Sequence, residues 1–196
     1  MRNSLAGLLI TLAFSVASFA QQPSRAATLP TATTGTSPAA SQAKPLAALD
    51  FLVGAWEAEP GAEKGSAHFT FAYDADGAVL VRRNHAEYPA IANRPATKHD
   101  DLLVIYRDPD FREAEHILRA DYWDNEGHVI HYSVAATAEG VDFVSNIQQG
   151  APTFRLRYKK LGADRVAIDF EIAPPGNPST FSPYLSGTAR RLGSAN

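Results

Sequence analysis

The sequence predicts an all-β protein, an antiparallel up-and-down β-barrel of about ten strands with a short N-terminal helix. Three observations lead to this fold class. Segments that alternate apolar and polar residues recur at even spacing after residue 53, clusters of turn-forming residues separate them, and none alternates with a long helical pattern. Parallel strands need long crossover connections, so a doubly wound sheet is excluded. The alternative is an open, strongly curved sheet around one helix, which needs a longer helix than this sequence offers.

The segment before the barrel divides into two parts. Residues 1–20 have the build of a secretory signal peptide, because Arg2 precedes an uncharged apolar run and small residues stand before the cleavage point at Ala20. We therefore expect a bacterial protein in the periplasm or secreted, with no integral membrane segment after cleavage. Residues 21–45 are rich in Pro, Ser, Thr and Ala, and this composition predicts a disordered linker.

The barrel domain is predicted to span residues 46–196, the length of one ordinary domain. The chain has no cysteine, so its core must be stable without disulfides. Its 18 Lys and Arg residues against 21 Asp and Glu residues give a formal net charge of −3. A chain with no basic excess has little attraction for a phosphate backbone, so we expect no nucleic-acid partner.

The elements follow in chain order. The apolar run that ends at Leu52 predicts one or two helical turns, and a short strand follows at Trp56. Further strands are predicted in SAHFTFAYD, AVLVRRNHAEY, DLLVIYRD, AEHILRADYW, HVIHYSVAAT, VDFVSNIQ, TFRLRYKK, RVAIDFEIA and TFSPYLSGTARRL. The turns between them are DADG, DPD, DNEG, AEG, LGAD and PPGNP, and residues 89–98, with two prolines, form a longer loop.

The stretch LDFLVGAWEAEP places Gly54-x-Trp56 where a short helical turn meets the first strand. This arrangement resembles the calycin barrels, which include lipocalins, fatty-acid-binding proteins and the haem-binding barrels similar to nitrobindin. In lipocalins the tryptophan of this motif plugs one end of the barrel, and an arginine near the end of the last strand packs on it. The resemblance implies that Gly54 and Trp56 close this barrel together with Arg190 or Arg191, a contact that the affinity of a guanidinium for an aromatic face makes favourable.

The resemblance implies no cofactor for this chain. The haem barrels similar to nitrobindin ligate iron through a histidine near the carboxyl end, whereas the last histidine here is His131. The start of the barrel domain, around Trp56, also resembles that of an exported bacterial family with the pattern FLxGxW there. That resemblance implies no activity. We therefore expect neither haem nor another cofactor.

The segment Val79–Tyr88 is the main candidate for contacts with a ligand. With a period of two, Arg83 and His85 share one face and Arg82 lies on the other, so an arginine faces inward in either register. We prefer Arg83, because valines continue its face as a β-branched lining. A buried guanidinium needs a carboxylate or phosphate partner, which predicts a ligand with an anionic head group. The alternative is a solvated rim.

Two further faces supply candidate pocket residues, and the remaining patterns exclude some chemistry. His116 and Tyr122 share a face of one strand and Tyr132 lies on the next, where they could line a pocket or belong to ordinary core. No Gly-x-Ser-x-Gly motif and no cysteine occur, so we expect no catalytic residue. His128 and His131 lie on opposite faces of a strand, so we expect no metal site.

Three functional hypotheses follow from these residues. The first is an exported barrel that binds an apolar or amphipathic small molecule through the residues named above. The second is an enzyme that uses His85 as a base with Glu87 as its orienting partner, since the two share a face. The third is a structural or interaction domain whose barrel is filled by its own side chains.

Overall fold

A computed structural model describes residues 46–61, 65–92, 94–108 and 118–193. The predicted signal peptide, the predicted linker and the candidate His116 lie outside the described residues.

A short 3₁₀ helix and ten strands make up the described chain. The helix spans Ala47–Leu52. The strands are β1 Gly54–Ala58, β2 Ser66–Asp74, β3 Val79–Tyr88, β4 Thr97–Arg107, β5 Leu118–Asp124, β6 Val129–Ala136, β7 Gly140–Ser145, β8 Thr153–Lys160, β9 Arg165–Ala173 and β10 Ser182–Arg191. Each strand pairs antiparallel with its neighbour in sequence, and β10 returns to pair with β1, so the sheet closes into a barrel. The predicted fold class is confirmed.

The predicted strands lie close to the observed ones, with differences at their ends. β4 begins at Thr97, within the predicted loop, because Thr97 and Lys98 still pair with Tyr88 and Glu87 of β3. β7 ends at Ser145, three residues before the predicted end. In the hairpin of β3 and β4, backbone pairing therefore continues past the apolar residues into a polar segment. The alternation of apolar and polar residues gives no signal for a strand there.

The helix and Trp56 close one end of the barrel. The indole of Trp56 is buried and its Nε1–H donates to the carbonyl of Leu52 at 2.8 Å. The guanidinium of Arg191, at the end of β10, lies 4.2 Å from the centre of the Trp56 ring and donates hydrogen bonds to the carbonyls of Val53 and Phe51. One arginine thus joins the last strand, the first strand and the end of the helix.

The neighbouring arginine has a different role. Arg190 points to the outer surface and donates to the carboxylate of Glu57 on β1. Gly54 adopts a φ of +128°, and a Cβ at this position would stand 2.7 Å from Nη1 of Arg191. A glycine here therefore satisfies both an unusual backbone angle and the close approach of the guanidinium.

Replacement of the two arginines should separate these roles. We expect Arg191→Met to lower the free energy of unfolding by about 2–4 kcal/mol, because it removes two charged hydrogen bonds and the contact with the indole. The matched variant Arg190→Met loses only an exposed ion pair and should cost about 0–1 kcal/mol. Urea unfolding of both variants measures the difference, and equal losses would contradict the closure.

Candidate functional site

A buried arginine spans the middle of the barrel. Arg82, on β3, points inward and is 7% exposed. It donates one hydrogen bond to the carboxylate of Asp101 on the adjacent β4 and another to the hydroxyl of Tyr158 on β8. In the closed order of ten strands β3 and β8 are five positions apart in either direction, so the second bond crosses the lumen. We call this three-residue contact the floor.

The position of Arg82 corrects one prediction. The preference for Arg83 as the inward arginine is wrong, since Arg83 is exposed and Leu80, Arg82 and Ala86 form the buried face of β3. The valines that supported Arg83 suit either face of a strand. The register is set instead by the carboxylate and the phenol inside the barrel, which compensate the charge that Arg82 brings.

The floor divides the lumen into two halves, and the lower half, toward the 3₁₀ helix, is filled. The ring of Tyr158 lies between those of Phe69, Phe71 and Phe143, with centroid distances of 6.0, 5.5 and 6.2 Å. Leucines of the helix and the indole of Trp56 complete this core. A barrel that is hollow through its whole depth is therefore excluded.

Above the floor, polar side chains from β3, β4 and β5 line one side of the upper half. Asn84 donates to Asp101 at 2.9 Å, and Nε2 of His99 lies 3.3 Å from the same carboxylate. The same Nε2 lies 3.1 Å from the hydroxyl of Tyr122, which donates to Asp124 at 3.1 Å. We call Asn84, His99, Tyr122 and Asp124 the polar wall. Tyr122 was among the predicted ligand residues, and it lies here.

The ionisable groups of this network stabilise each other's charged forms. The hydrogen bond to Asp101 raises the pKa of His99 above its ordinary value of 6.5, although partial burial acts in the opposite direction. Burial alone would raise the pKa of Asp101, but Arg82, His99 and Asn84 outweigh it and hold this pKa below its ordinary value. Near neutral pH the network therefore combines a carboxylate with an imidazole that retains its proton more readily than usual.

Apolar side chains line the opposite side of the upper half. Phe154 of β8 stacks on Phe170 of β9 at 5.8 Å, and Tyr184 meets Phe170 edge-on at 6.1 Å. A bulge between Pro183 and Leu185 brings Tyr184 and Leu185 of β10 to the same partner. We call Phe154, Phe170, Tyr184 and Leu185 the apolar wall. It faces the polar wall, because β9 and β4 are five positions apart in either direction.

The other predicted residues lie elsewhere. Tyr132 is buried and packs edge-on against Phe143 at 6.2 Å, and burial raises the pKa of its hydroxyl, so it belongs to the packed core. Arg83 and His85 lie on the outer wall. Nδ1 of His85 is 2.5 Å from Asp100 and Nε2 is 3.4 Å from Glu87, and the hydrogen bond to Asp100 raises its pKa. A carboxylate beside each ring nitrogen favours the protonated form of His85 and leaves neither nitrogen free for a substrate proton.

Sequence reasoning missed several residues of the upper half. The sequence analysis gave no role to His99 or Asp101, although Asp101 alternates with the buried Leu103 and Ile105 and so shares their inward face. Phe170 could have been found in the same way, from its alternation with Val166 in β9. The bulge at Tyr184 has no comparable signal in the sequence.

No protein-family model and no curated protein matches this sequence. Within residues 46–61, 65–92, 94–108 and 118–193, no cluster of three or more histidine, aspartate or glutamate side chains is arranged to hold a metal ion. The same residues include no helix with the length and apolar character needed to cross a membrane.

Truncation of the floor arginine should be costly, and a second substitution should reduce the cost. Arg82→Met leaves the buried carboxylate of Asp101 without its guanidinium partner, so we expect a loss of about 3–5 kcal/mol in the free energy of unfolding. Arg82→Met with Asp101→Asn removes both charges and should lose less than Arg82→Met alone. As a control, Arg157→Met breaks a partly exposed ion pair with Asp142 and should cost about 0–1 kcal/mol. A double variant less stable than Arg82→Met would contradict the buried pairing.

The raised pKa of His99 predicts a pH dependence of stability. Protonated His99 stabilises the folded state fully below its unfolded pKa of about 6.5, and the contribution is lost as the pH rises through the higher folded value. NMR titration of the His99 ring should give a pKa above 6.5, and His99→Gln should reduce the loss of unfolding free energy above that pH. His68→Gln, on the outer wall, serves as the control. A His99 pKa at or below 6.5 would contradict the network.

Proposed function

We propose that this protein binds a small amphipathic molecule in the upper half of its barrel. The observation that carries the proposal is that a polar wall and an apolar wall lie on opposite strands of the barrel above the floor. Pockets that bind small molecules combine mostly apolar lining with a few convergent polar groups. Because side chains fill the lower half, the ligand would occupy only the part of the barrel above Arg82.

The two walls suggest how such a molecule would lie. Its apolar part would pack on Phe154 and Phe170, where aromatic surfaces give up contact with water on binding. Its head group would meet His99 and Tyr122, whose ring nitrogen and hydroxyl already exchange a hydrogen bond. Leu185 stands at the entrance on the apolar side, and its side chain is accessible.

The chemistry of the floor changes the head group expected from sequence. An anion held by the inward arginine is not part of the proposal, because the charge of Arg82 is compensated by Asp101. The polar wall combines the carboxylate of Asp124 with the imidazole of His99, so a group that both donates and accepts hydrogen bonds, such as a hydroxyl, suits it better. Nε of Arg82 is buried and has no hydrogen-bond partner among the described residues.

Membership of the calycin barrels is part of the same proposal. The support is the geometry at the closed end, where a short helix, Gly54, Trp56 and Arg191 are arranged as the resemblance implied. We also propose export to the periplasm or the medium, on the sequence of residues 1–20 alone.

Neither alternative function has comparable support. An enzyme that uses His85 as its base is disfavoured by the carboxylates on both ring nitrogens. A barrel that serves only as a filled structural domain agrees with the lower half but leaves the accessible apolar wall without a purpose. It is therefore the outcome that the binding experiment must exclude.

The experiment uses N-phenylnaphthylamine, a neutral apolar dye whose fluorescence rises in apolar surroundings, and displaces it with dodecanol, dodecanoate or dodecylamine. We expect dodecanol to compete best, because its hydroxyl can both donate hydrogen bonds to the polar wall and accept them from it. Leu185→Arg should weaken dye binding by about tenfold or more, because a charge then stands in the apolar entrance. The matched control is Leu192→Arg, since Leu192 is 38% exposed against 42% for Leu185 but lies just past β10 at the closed end.

The outcomes are distinct. Dye binding that Leu185→Arg weakens and Leu192→Arg leaves within about twofold supports the upper half as the site. An absence of binding by the dye and all three competitors, or equal effects of the two substitutions, overturns the proposal and favours the filled structural domain. Urea unfolding of each variant shows that the barrel is still folded.

A further inference from the structure

The outer wall of β2 to β5 has a groove of about 600 Å³, whose lining also includes Asn84, Asp101 and Asp124 of the floor and the polar wall. Two neighbouring rows of outward side chains line it, each with one residue per strand in register. The first, which we call the arginine row, is Thr70, Arg83, Leu102 and Trp123. The second, which we call the histidine row, is His68, His85 and Asp100, with Asn125 beside Asp100 at its end.

The arginine row has the dimensions of a site for one ring. Leu102 pairs with Arg83 on one side and with Trp123 on the other, so the leucine is the base and the other two stand at the sides. Neighbouring strands are about 4.8 Å apart, which separates the backbones at Arg83 and Trp123 by about 10 Å. A single six-membered ring with one substituent fits over Leu102 in this space.

Arg83 is available to a ligand. In the part of the chain that the structure describes, no carboxylate lies within ion-pair distance of its guanidinium. Arginines elsewhere on the outer wall have carboxylate partners: Arg155 pairs with Glu171, and Arg165 pairs with Glu59. The charge of Arg83 is therefore uncompensated at the side of a concave surface, where a negative group would complement it.

Trp123 supplies the second contact. Its side chain is accessible, with 39% of the residue exposed against 1% for Trp56 at the closed end. Val129 of β6 pairs with it on the far side and extends the apolar surface beyond the groove. A large aromatic side chain left accessible beside a free cation is unusual on a wall that is otherwise covered by ion pairs.

We propose that this groove binds a carboxylate attached to a ring. The carboxylate accepts two parallel hydrogen bonds from the guanidinium of Arg83, and the flat face of the ring packs over Leu102 against Trp123. The His85–Asp100 pair closes the groove on the side toward the upper half and offers polar atoms to ring substituents. Two classes of molecule have this chemistry, sugar acids and aromatic acids.

Calorimetric titration with D-glucuronate, benzoate and their neutral analogues glucose and benzyl alcohol tests the proposal. We expect at least one acid to bind about tenfold or more tightly than its neutral analogue, since the charge-assisted pair with Arg83 is lost in the analogue. Arg83→Gln should weaken that acid by about tenfold. The matched control Arg107→Gln removes the same charge from the end of β4 and should leave affinity within about twofold.

The indole gives an independent readout. Quenching of tryptophan fluorescence by acrylamide, a neutral molecule, reports mainly on Trp123 because Trp56 is buried. The bound acid should protect Trp123 from quenching, and Trp123→Leu should weaken binding by about fivefold, as expected for loss of a stacking contact. Protection that persists in Arg83→Gln at the same acid concentration would count against the site.

Each result has a clear meaning. Tighter binding of glucuronate identifies a sugar acid, tighter binding of benzoate identifies an aromatic acid, and both support the groove if Arg83→Gln weakens them. Equal affinity for acids and neutral analogues, no binding by any of the four, or equal effects of Arg83→Gln and Arg107→Gln overturns the proposal. Leu185→Arg should not affect acid binding, so failure of this site is distinguishable from failure of the site in the upper half.

Discussion

The hydrogen bonds of Arg82 to Asp101 and Tyr158 determine what the rest of the interior can be. A buried guanidinium is tolerated only when a carboxylate and further acceptors compensate its lost hydration, so the partners on β4 and β8 must point inward with it. Because those partners lie on adjacent and opposite walls, the contact fixes the register of β3 and limits the width of the lumen. The aromatic rings below pack around the Tyr158 ring.

The closed end depends on a second arginine in a similar way. Arg191 satisfies two carbonyls that the helix and the start of β1 leave without backbone partners, and it covers the face of Trp56. The first and last strands pair over only a few residues, from Trp56 to Ala58. The hydrogen bonds of the Arg191 side chain therefore add to the short backbone ladder that joins β1 and β10. Gly54 has no side chain and leaves room for the guanidinium.

The alternation of apolar and polar residues predicted the fold well, because a closed antiparallel barrel imposes one inward face on every strand. The short helix and the aromatic plug followed from a local motif and a family resemblance. The interior site was harder to predict from the sequence, since Arg82 and Arg83 are equally consistent with the pattern of β3. The choice between them depends on Asp101, 19 residues away, and on Tyr158, 76 residues away, and no local pattern reports contacts over those separations.

Adjacent positions in β3 thus give two arginines opposite environments. Inside, the charge of Arg82 is neutralised within the fold, so the proposed selection of a ligand in the upper half relies on shape and hydrogen bonds. Outside, Arg83 has no carboxylate partner among the described residues, so the proposed selection in the groove relies on charge. The anionic partner expected for an inward Arg83 is proposed instead for the outer groove, because Arg83 faces outward. The wall of the barrel is a single sheet, so one face of each strand lines the interior and the other face lies on the outer surface. If the two faces of a strand are exchanged, an interior site becomes a surface site, although the same residues still share a face.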